Sequence, residues 1–295
     1  MKILVFSLRY SKFGWLSVFP QVRGHVLAKY LRQLGEDAEF RALPVEGHFD
    51  VAICADYQGD ARWLSLLQER MTGLTARRMF CMVDYGVTKH PSAPMAEWFA
   101  ARGGVLCHLR ERSLAAHEHY IGLGVDDVVR YDPTRARRTV LFDFPKSSRL
   151  DTSTVFDVAR LDAVRRAHAG YRLLGSGGPD SPIRDAFDAW IPYGTPHDDY
   201  VRHFDDCLAF IPGSTESMGL AVAEAQVAGA AIVCPEGWIK PEILIPAAGV
   251  HETDLARGID RAARCDSAQI AAEAAERFSP VAMARRALDA IRADG

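Results

Sequence analysis

A chain of 295 residues, 48% hydrophobic and 25% charged, suits one large or two medium globular domains. Its net charge of −3 argues against a general nucleic-acid binder, and no apolar run approaches the ~20 residues of a membrane span. Six cysteines without a Cys-x-x-Cys pair, and ten histidines without ligand spacing, argue against a disulfide frame and a structural zinc. The start, MKILVFSLRYSKFG, has too short an apolar run for a signal peptide and lacks a small-residue cleavage site. The expected location is therefore a reducing cytoplasm.

In chain order, short apolar runs predict strands at 2–8 (KILVFSL), 50–55 (DVAICA), 78–83 (RMFCMV), 104–109 (GVLCHL) and 127–131 (DVVRY). Helical patterns fall between them near 20–34, 60–71, 94–102 and 111–122. A zone rich in breakers and charge, YDPTRARR at 131–138, interrupts the rhythm. It then resumes with strands at 139–144 (TVLFDF), 171–175 (YRLLG), 207–212 (CLAFIP) and 230–235 (AAIVCP), and helices at 153–168, 197–205, 219–228, 266–277 and 280–293. Apolar strands alternating with helices predict parallel sheets covered on both faces. The expectation is an α/β chain of two Rossmann-like domains, 1–135 and 136–295. The terminal helix is left open to pack back on the first.

Ligands of open parallel sheets sit outside the carboxyl ends of the strands, so the loops after each strand hold the candidate residues. After TVLFDF, Lys146 and Arg149 flank two serines and could hold a diphosphate, one as a point charge and the other as a bidentate fork. After YRLL, Gly175 opens a glycine-rich turn where backbone could approach a ligand. After CLAFIP, the stretch PGSTESMGLAVAEAQVAG carries Glu216 in a loop and Glu224 inside the following helix. The free N–H groups at that helix start favour a phosphate, while ionised carboxylates accept from hydroxyls. A diphosphate with a polyol at either end satisfies both. The plainer alternative makes Glu216 a solvated cap residue and Glu224 an exposed helix acid.

The segment YGTPHDDYVRHFDDCLAFIPGSTESMGLAVAEAQVAGAAIVCPEG resembles the donor region of GT-B glycosyltransferases of the glycogen-synthase and sucrose-synthase type. Glu216 and Glu224 stand for that family's Glu-x7-Glu, and Met218-Gly219-Leu220 for its Phe-Gly-Leu. RLLGSGGP and ERFSPVAMARRAL resemble its upstream turn and closing helix, so the resemblance spans about 170–292. It implies two domains whose parallel sheets face across a cleft, and a retaining transfer from a nucleotide-diphosphate sugar. Glu224 would bind the ribose hydroxyls and Glu216 those of the transferred sugar. The backbone around Ser217, Met218, Gly219 and Leu220 would lie near phosphates or sugar, with Lys146 and Arg149 as diphosphate-binding cations. DFPKSSR replaces the family's Gly-Arg-x4-Lys, which weakens the assignment of the two cations.

The N-terminal half also resembles, in scattered positions, the DNA β-glucosyltransferases of T-even phages. In both, an Asp closes the third strand, here Asp84, which could serve as a general base toward an acceptor hydroxyl; a cap or turn role is the alternative. Such a base would imply inversion. Tyr10, Trp15, Tyr85 and His90 are similarly placed. The expected function is a glycosyltransferase working without a metal or other cofactor, since the chain has no Asp-x-Asp. The acceptor is left open among a small molecule, a glycan and a modified DNA base. The basic residues Arg130, Arg135, Arg137, Arg138, Lys146 and Arg149 favour a phage-type enzyme acting on hydroxymethylated pyrimidines, or else form a solvated linker face. A non-catalytic nucleotide-sugar binder is the alternative from another class. A dinucleotide oxidoreductase is disfavoured because no Gly-x-Gly-x-x-Gly follows the first strand.

Overall fold

The computed structural model describes residues 1–8, 18–55, 61–83, 93–108, 118–144, 158–181, 183–213 and 219–293. Cα packing divides the chain into two compact units, Met1–Asp126 with Phe278–Gly295, and Asp127–Arg277.

The first unit is built on β1 (Lys2–Leu8), α1 (Val18–Gln33), β2 (Asp37–Leu43), β3 (Gly47–Cys54), α2 (Ala61–Arg70), β4 (Leu74–Val83), α3 (Ala93–Ala100), β5 (Gly103–Cys107) and β6 (Glu118–Tyr120). Its sheet has the order β2-β1-β3-β4-β5-β6, with every pairing parallel. The near-continuous apolar strands are explained by two cores. Ile3, Val5, Phe80, Met82 and Leu106 enter one with α1 residues Val26, Leu27 and Leu31. Their neighbours Leu4, Phe6, Cys81, Val83, Val105 and Cys107 enter the other with Leu67 and Phe99. Successive side chains on a strand point to opposite faces, so a sheet covered on both sides needs both sets apolar.

The second unit contains β7 (Thr139–Asp143), α4 (Val158–Ala167), β8 (Arg172–Gly177), β9 (Ala189–Pro192), α5 (His197–Val201), β10 (Cys207–Pro212), α6 (Leu220–Val227), β11 (Ala231–Cys234), β12 (Gly249–His251), α7 (Leu255–Ala262) and α8 (Ser267–Arg277). Its sheet runs β12-β11-β10-β7-β8-β9, again with every pairing parallel. The closing helix α9 (Pro280–Ala293) belongs to the first unit. It buries Met283, Ala284, Ala287, Leu288 and Ile291 in the core that α1 also covers.

Several elements differ from expectation. The run at 127–131 is turn rather than strand, since Val128 is exposed and Asp126 is drawn away to Lys29 at 2.6 Å. The helix expected at 111–122 ends instead in β6, whose residues pair with β5; 109–117 lie outside the described residues. The helix at 197–205 is α5 followed by a 3-10 turn at Arg202–Phe204. The first unit ends at Asp126, ahead of the charged 133–138 zone, which lies wholly in the second. Strands β2, β9 and β12 and helix α7 had no clear sequence signal. Five of the six cysteines are buried, as small apolar residues are, and burial pushes the Cys207 thiol up to about 12. Among the described residues, no helix is long and apolar enough to cross a membrane.

Candidate functional site

The strand order of the second sheet locates its site. From β7 the chain adds β8 and β9 on one side, then returns to place β10 on the other. The crevice outside the carboxyl ends of β7 and β10 is thus the topological switch point, where open α/β sheets bind ligands. Asp143 and Phe144 end one strand, Pro212 and Gly213 the other, and the Gly213 N–H donates to the Asp143 carbonyl at 2.5 Å.

Helix α6 follows β10 and is buried all round except at Ala221. Its N-cap is Gly219, in the left-handed region at φ 52° and ψ 48°, and a glycine offers no side chain to cap the first N–H groups. A Schellman pair closes the helix: Gly229 N–H bonds the Gln226 carbonyl at 2.8 Å and Ala230 N–H the Ala225 carbonyl at 2.8 Å. Gln226 is fully buried and has a structural task. Its amide donates to the Val222 and Ile243 carbonyls at 3.0 and 2.9 Å and accepts from Ile245 N–H at 2.8 Å.

Glu224 is 2% exposed, so it is not the exposed helix acid of the plainer alternative. A buried carboxylate must be paired, and Glu224 Oε1 lies 2.6 Å from Nε2 of His197 on α5. Tyr200, one turn further along α5, brings in more of the sheet edge. Its hydroxyl bonds Ser176 on β8, and burial pushes its pKa well above the usual phenol value, reinforced by the carboxylates of Asp143 and Glu224. Asp143, Ser176, His197, Tyr200 and Glu224 therefore form one cluster at the carboxyl end of β7 and β8. Two carboxylates with hydroxyls and an imidazole suit a ligand's hydroxyl groups better than its anionic part.

The turn expected to open at Gly175 is strand instead: Gly175 and Gly177 lie within β8, paired with Trp190 and Pro192 of β9, and their small size has a packing explanation. A Cβ on Gly175 would lie 2.4 Å from the Trp190 ring, and one on Gly177 would lie 2.7 Å from it. Trp190 lies in this space, stacked on Phe144 with centroids 5.8 Å apart, and donates from Nε1 to the Gly178 carbonyl at 3.1 Å. Of Gly175, Gly177 and Gly178, the last faces open space. Tyr193 anchors the same edge by donating to the Phe144 carbonyl.

Of the residues picked from sequence, Gly175, Gly219, Leu220 and Glu224 fall in this region, with Leu220 buried as the first residue of α6. Asp84, Lys146, Arg149, Glu216, Ser217 and Met218 lie outside the described residues. Tyr10, Trp15, Tyr85 and His90 lie outside them too. Within the basic stretch, Arg130, Arg135 and Arg138 are exposed, whereas Arg137 is turned inward. It donates to the Cys207 carbonyl at 2.5 Å and to that of Ala228, tying β10 to the end of α6. Among the described residues, no group of three His, Cys, Asp or Glu side chains is arranged to hold a metal.

Sequence reasoning missed His197, Tyr200, Asp143 and, in the first unit, His108. None belongs to a spacing motif; Asp143 and His108 sit at or just after a strand end, while His197 and Tyr200 lie on the short helix α5. His108 follows β5 and is 1% exposed. Its Nδ1 lies 2.7 Å from the Gly122 carbonyl, and its Nε2 has no partner. Burial lowers its pKa to about 3, helped by nearby Arg23 and opposed by the bond to Gly122. The ring is therefore neutral, with Nδ1–H donating. Elsewhere in this unit, a depression of about 490 Å³ lined by Lys2, His48, Asp50 and Arg77 lies at the opposite, amino edge of the sheet.

No protein-family model matches the sequence, and no curated protein matches it. Solved structures do match, and they define the class: two Rossmann-like units with parallel sheets, the GT-B fold. A Listeria monocytogenes protein provisionally named UDP-N-acetylglucosamine 2-epimerase aligns over 100% of this chain and 97% of its own, at 13% identity and a TM-score of 0.59. The S. aureus MnaA-UDP co-structure aligns over 100% and 97%, at 11% identity and a TM-score of 0.56. TarM aligns over 82% of this chain at 13% identity and a TM-score of 0.54, and the chain covers only 54% of TarM's length. At such identities the likeness establishes the fold.

Proposed function

We propose that the chain is a glycosyltransferase that moves a sugar from a nucleotide-diphosphate sugar to an acceptor hydroxyl. The observation that carries this reading is Glu224, a buried carboxylate paired to His197 just inside the helix that follows the switch point. In this reading Glu224 accepts from the ribose hydroxyls and Glu216 from those of the sugar. The start of α6, with Ser217, Met218, Gly219 and Leu220, faces the diphosphate together with Lys146 and Arg149. Charge on the departing diphosphate is stabilised by these cations and the helix end, which leaves no step requiring a metal. Asp84 takes the acceptor proton. MnaA and a TarM variant were both solved with UDP, which agrees with a uridine nucleotide as donor. The reaction takes place in the cytoplasm, as the free cysteines suggest.

A second reading follows from the full-length match to a protein provisionally named as an epimerase: the same pocket would epimerise the sugar of a UDP-sugar and return it still joined to UDP. One experiment tests both. A thermal-shift screen with UDP-, GDP-, ADP- and TDP-sugars names the donor, because a ligand bound only by the native state raises the melting temperature by mass action. Product analysis then follows. Sugar found on an acceptor or on water supports the transferase, an epimerised sugar supports the second reading, and no stabilisation by any donor rejects both.

A further inference from the structure

His197 and Glu224 meet through one short contact, Nε2 to Oε1 at 2.6 Å, at the short edge of the ~2.7–2.9 Å of charge-assisted N–H···O bonds. They come from different elements. Glu224 stands on the buried helix α6, and His197 opens α5, a five-residue helix. The Glu224 side chain is 3% exposed and that of His197 17% exposed, so the pair sits at the border between core and surface. The other ionisable groups here are Asp198, whose Oδ1 is 3.8 Å from His197 Nδ1 but which is 79% exposed, Tyr200 on α5, and Asp143 and Tyr193 beside Tyr200. Asp198 is screened by water, and Tyr200 is held protonated. Glu224, at 2.6 Å, lies nearer the ring than Asp198 does.

We propose that His197 is a positioning residue for the donor: it holds the Glu224 carboxylate in place, and its charge couples nucleotide binding to pH. The inference rests on the donor reading of Glu224 above. When the imidazole is protonated, it offsets the carboxylate and leaves the pocket less hostile to a diphosphate. When it loses its proton, the N–H contact to Glu224 can persist, but the net negative charge beside the nucleotide returns. Loss of the ring proton therefore lowers nucleotide affinity as pH rises.

The test is titration calorimetry with UDP, and with GDP, ADP and TDP in parallel, on wild type, His197→Gln, His197→Ala, Glu224→Gln and the double variant His197→Gln/Glu224→Gln. Glutamine keeps an N–H donor but cannot titrate. The terminal phosphate of the nucleotide titrates in the same window, so the readout is the affinity ratio of wild type to His197→Gln at each pH. That ratio is expected to fall about tenfold between about pH 6 and pH 8, one pKa unit of coupling. In the Glu224→Gln background the ratio change should move to lower pH, because the carboxylate no longer favours the protonated ring. A His197 that merely supported the fold would lower the melting temperature of His197→Ala and leave the ratio flat, and a flat ratio overturns the inference alone. No binding of any of the four nucleotides by wild type overturns the donor reading, and this inference with it.

Discussion

Glu224 Oε1 and His197 Nε2 lie 2.6 Å apart although 27 positions separate them in the chain. The contact turns an acid that reads as a polar intrusion in an apolar helix into part of a cluster at a sheet's carboxyl edge. Asp143, Ser176 and Tyr200 complete that cluster. The position of Glu224 follows from the fold: the strand order puts α6 beside the switch point, and the helix buries its second turn.

Replacing Glu224 by Gln should weaken binding of the donor nucleotide about tenfold to a hundredfold, the scale of a charged hydrogen-bond acceptor lost from a protected site. The fold should survive, because the amide keeps the shape of the carboxylate. Calorimetry with UDP, with a melting curve for each protein, checks this. Equal affinity in both proteins would remove Glu224 from the donor site.

Gly219→Ala should cost about 1–2 kcal/mol, because it forces a side chain into the left-handed region. The added Cβ would also press on Ile243 Cγ2 at 3.1 Å and Val222 Cβ at 3.2 Å. Gly178→Ala is the matched control, since no atom lies within 4 Å of its Cβ position; its effect should stay within about 0.5 kcal/mol. Urea unfolding of the two variants measures the difference.

Gln226→Leu should destabilise the second unit by about 2–4 kcal/mol, because it deprives the buried Ile245 N–H of its acceptor and the Ile243 carbonyl of a donor. If Gln226 served only to fill space, leucine would be tolerated or even stabilising. Chemical denaturation separates the two outcomes.

His108 links stability to acid. Its pKa is lowered to about 3 in the fold against about 6.5 when unfolded. The unfolded chain therefore takes up a proton that the native state refuses. This contribution is complete above about pH 6.5 and is lost as pH falls toward 3, at about 1.4 kcal/mol per pH unit. His108→Asn keeps a donor for the Gly122 carbonyl but does not titrate. Between about pH 6.5 and pH 5, wild type should lose about 2 kcal/mol more stability than this variant. Parallel losses in urea titrations at the two pH values would refute the assignment.

The central strands were legible because residues buried on both faces must be apolar at every position, as in Leu4–Phe6 and Phe80–Val83. Edge strands give no such signal: β2 mixes exposed and buried positions, and β6 is three residues of intermediate burial. Position 111–122 therefore read as helix. Six of the ten predicted site residues follow β4, β7 and β10 in segments outside the described residues, among them Glu216 and Lys146.

The amino-acid sequence alone determined the alternation of strand and helix, the parallel and doubly covered sheets, and the place of Glu224 on a helix that follows a strand. All of these are local: they arise from periodicity, capping and burial along a single segment. Only the tertiary structure decided that Trp190 takes the space above Gly175 and Gly177, that α9 closes the first unit, and that Glu224 is met by His197. Those relationships join residues distant in the chain. They depend on strand order and on which side chain reaches a shared volume first, and no spacing in the sequence encodes either.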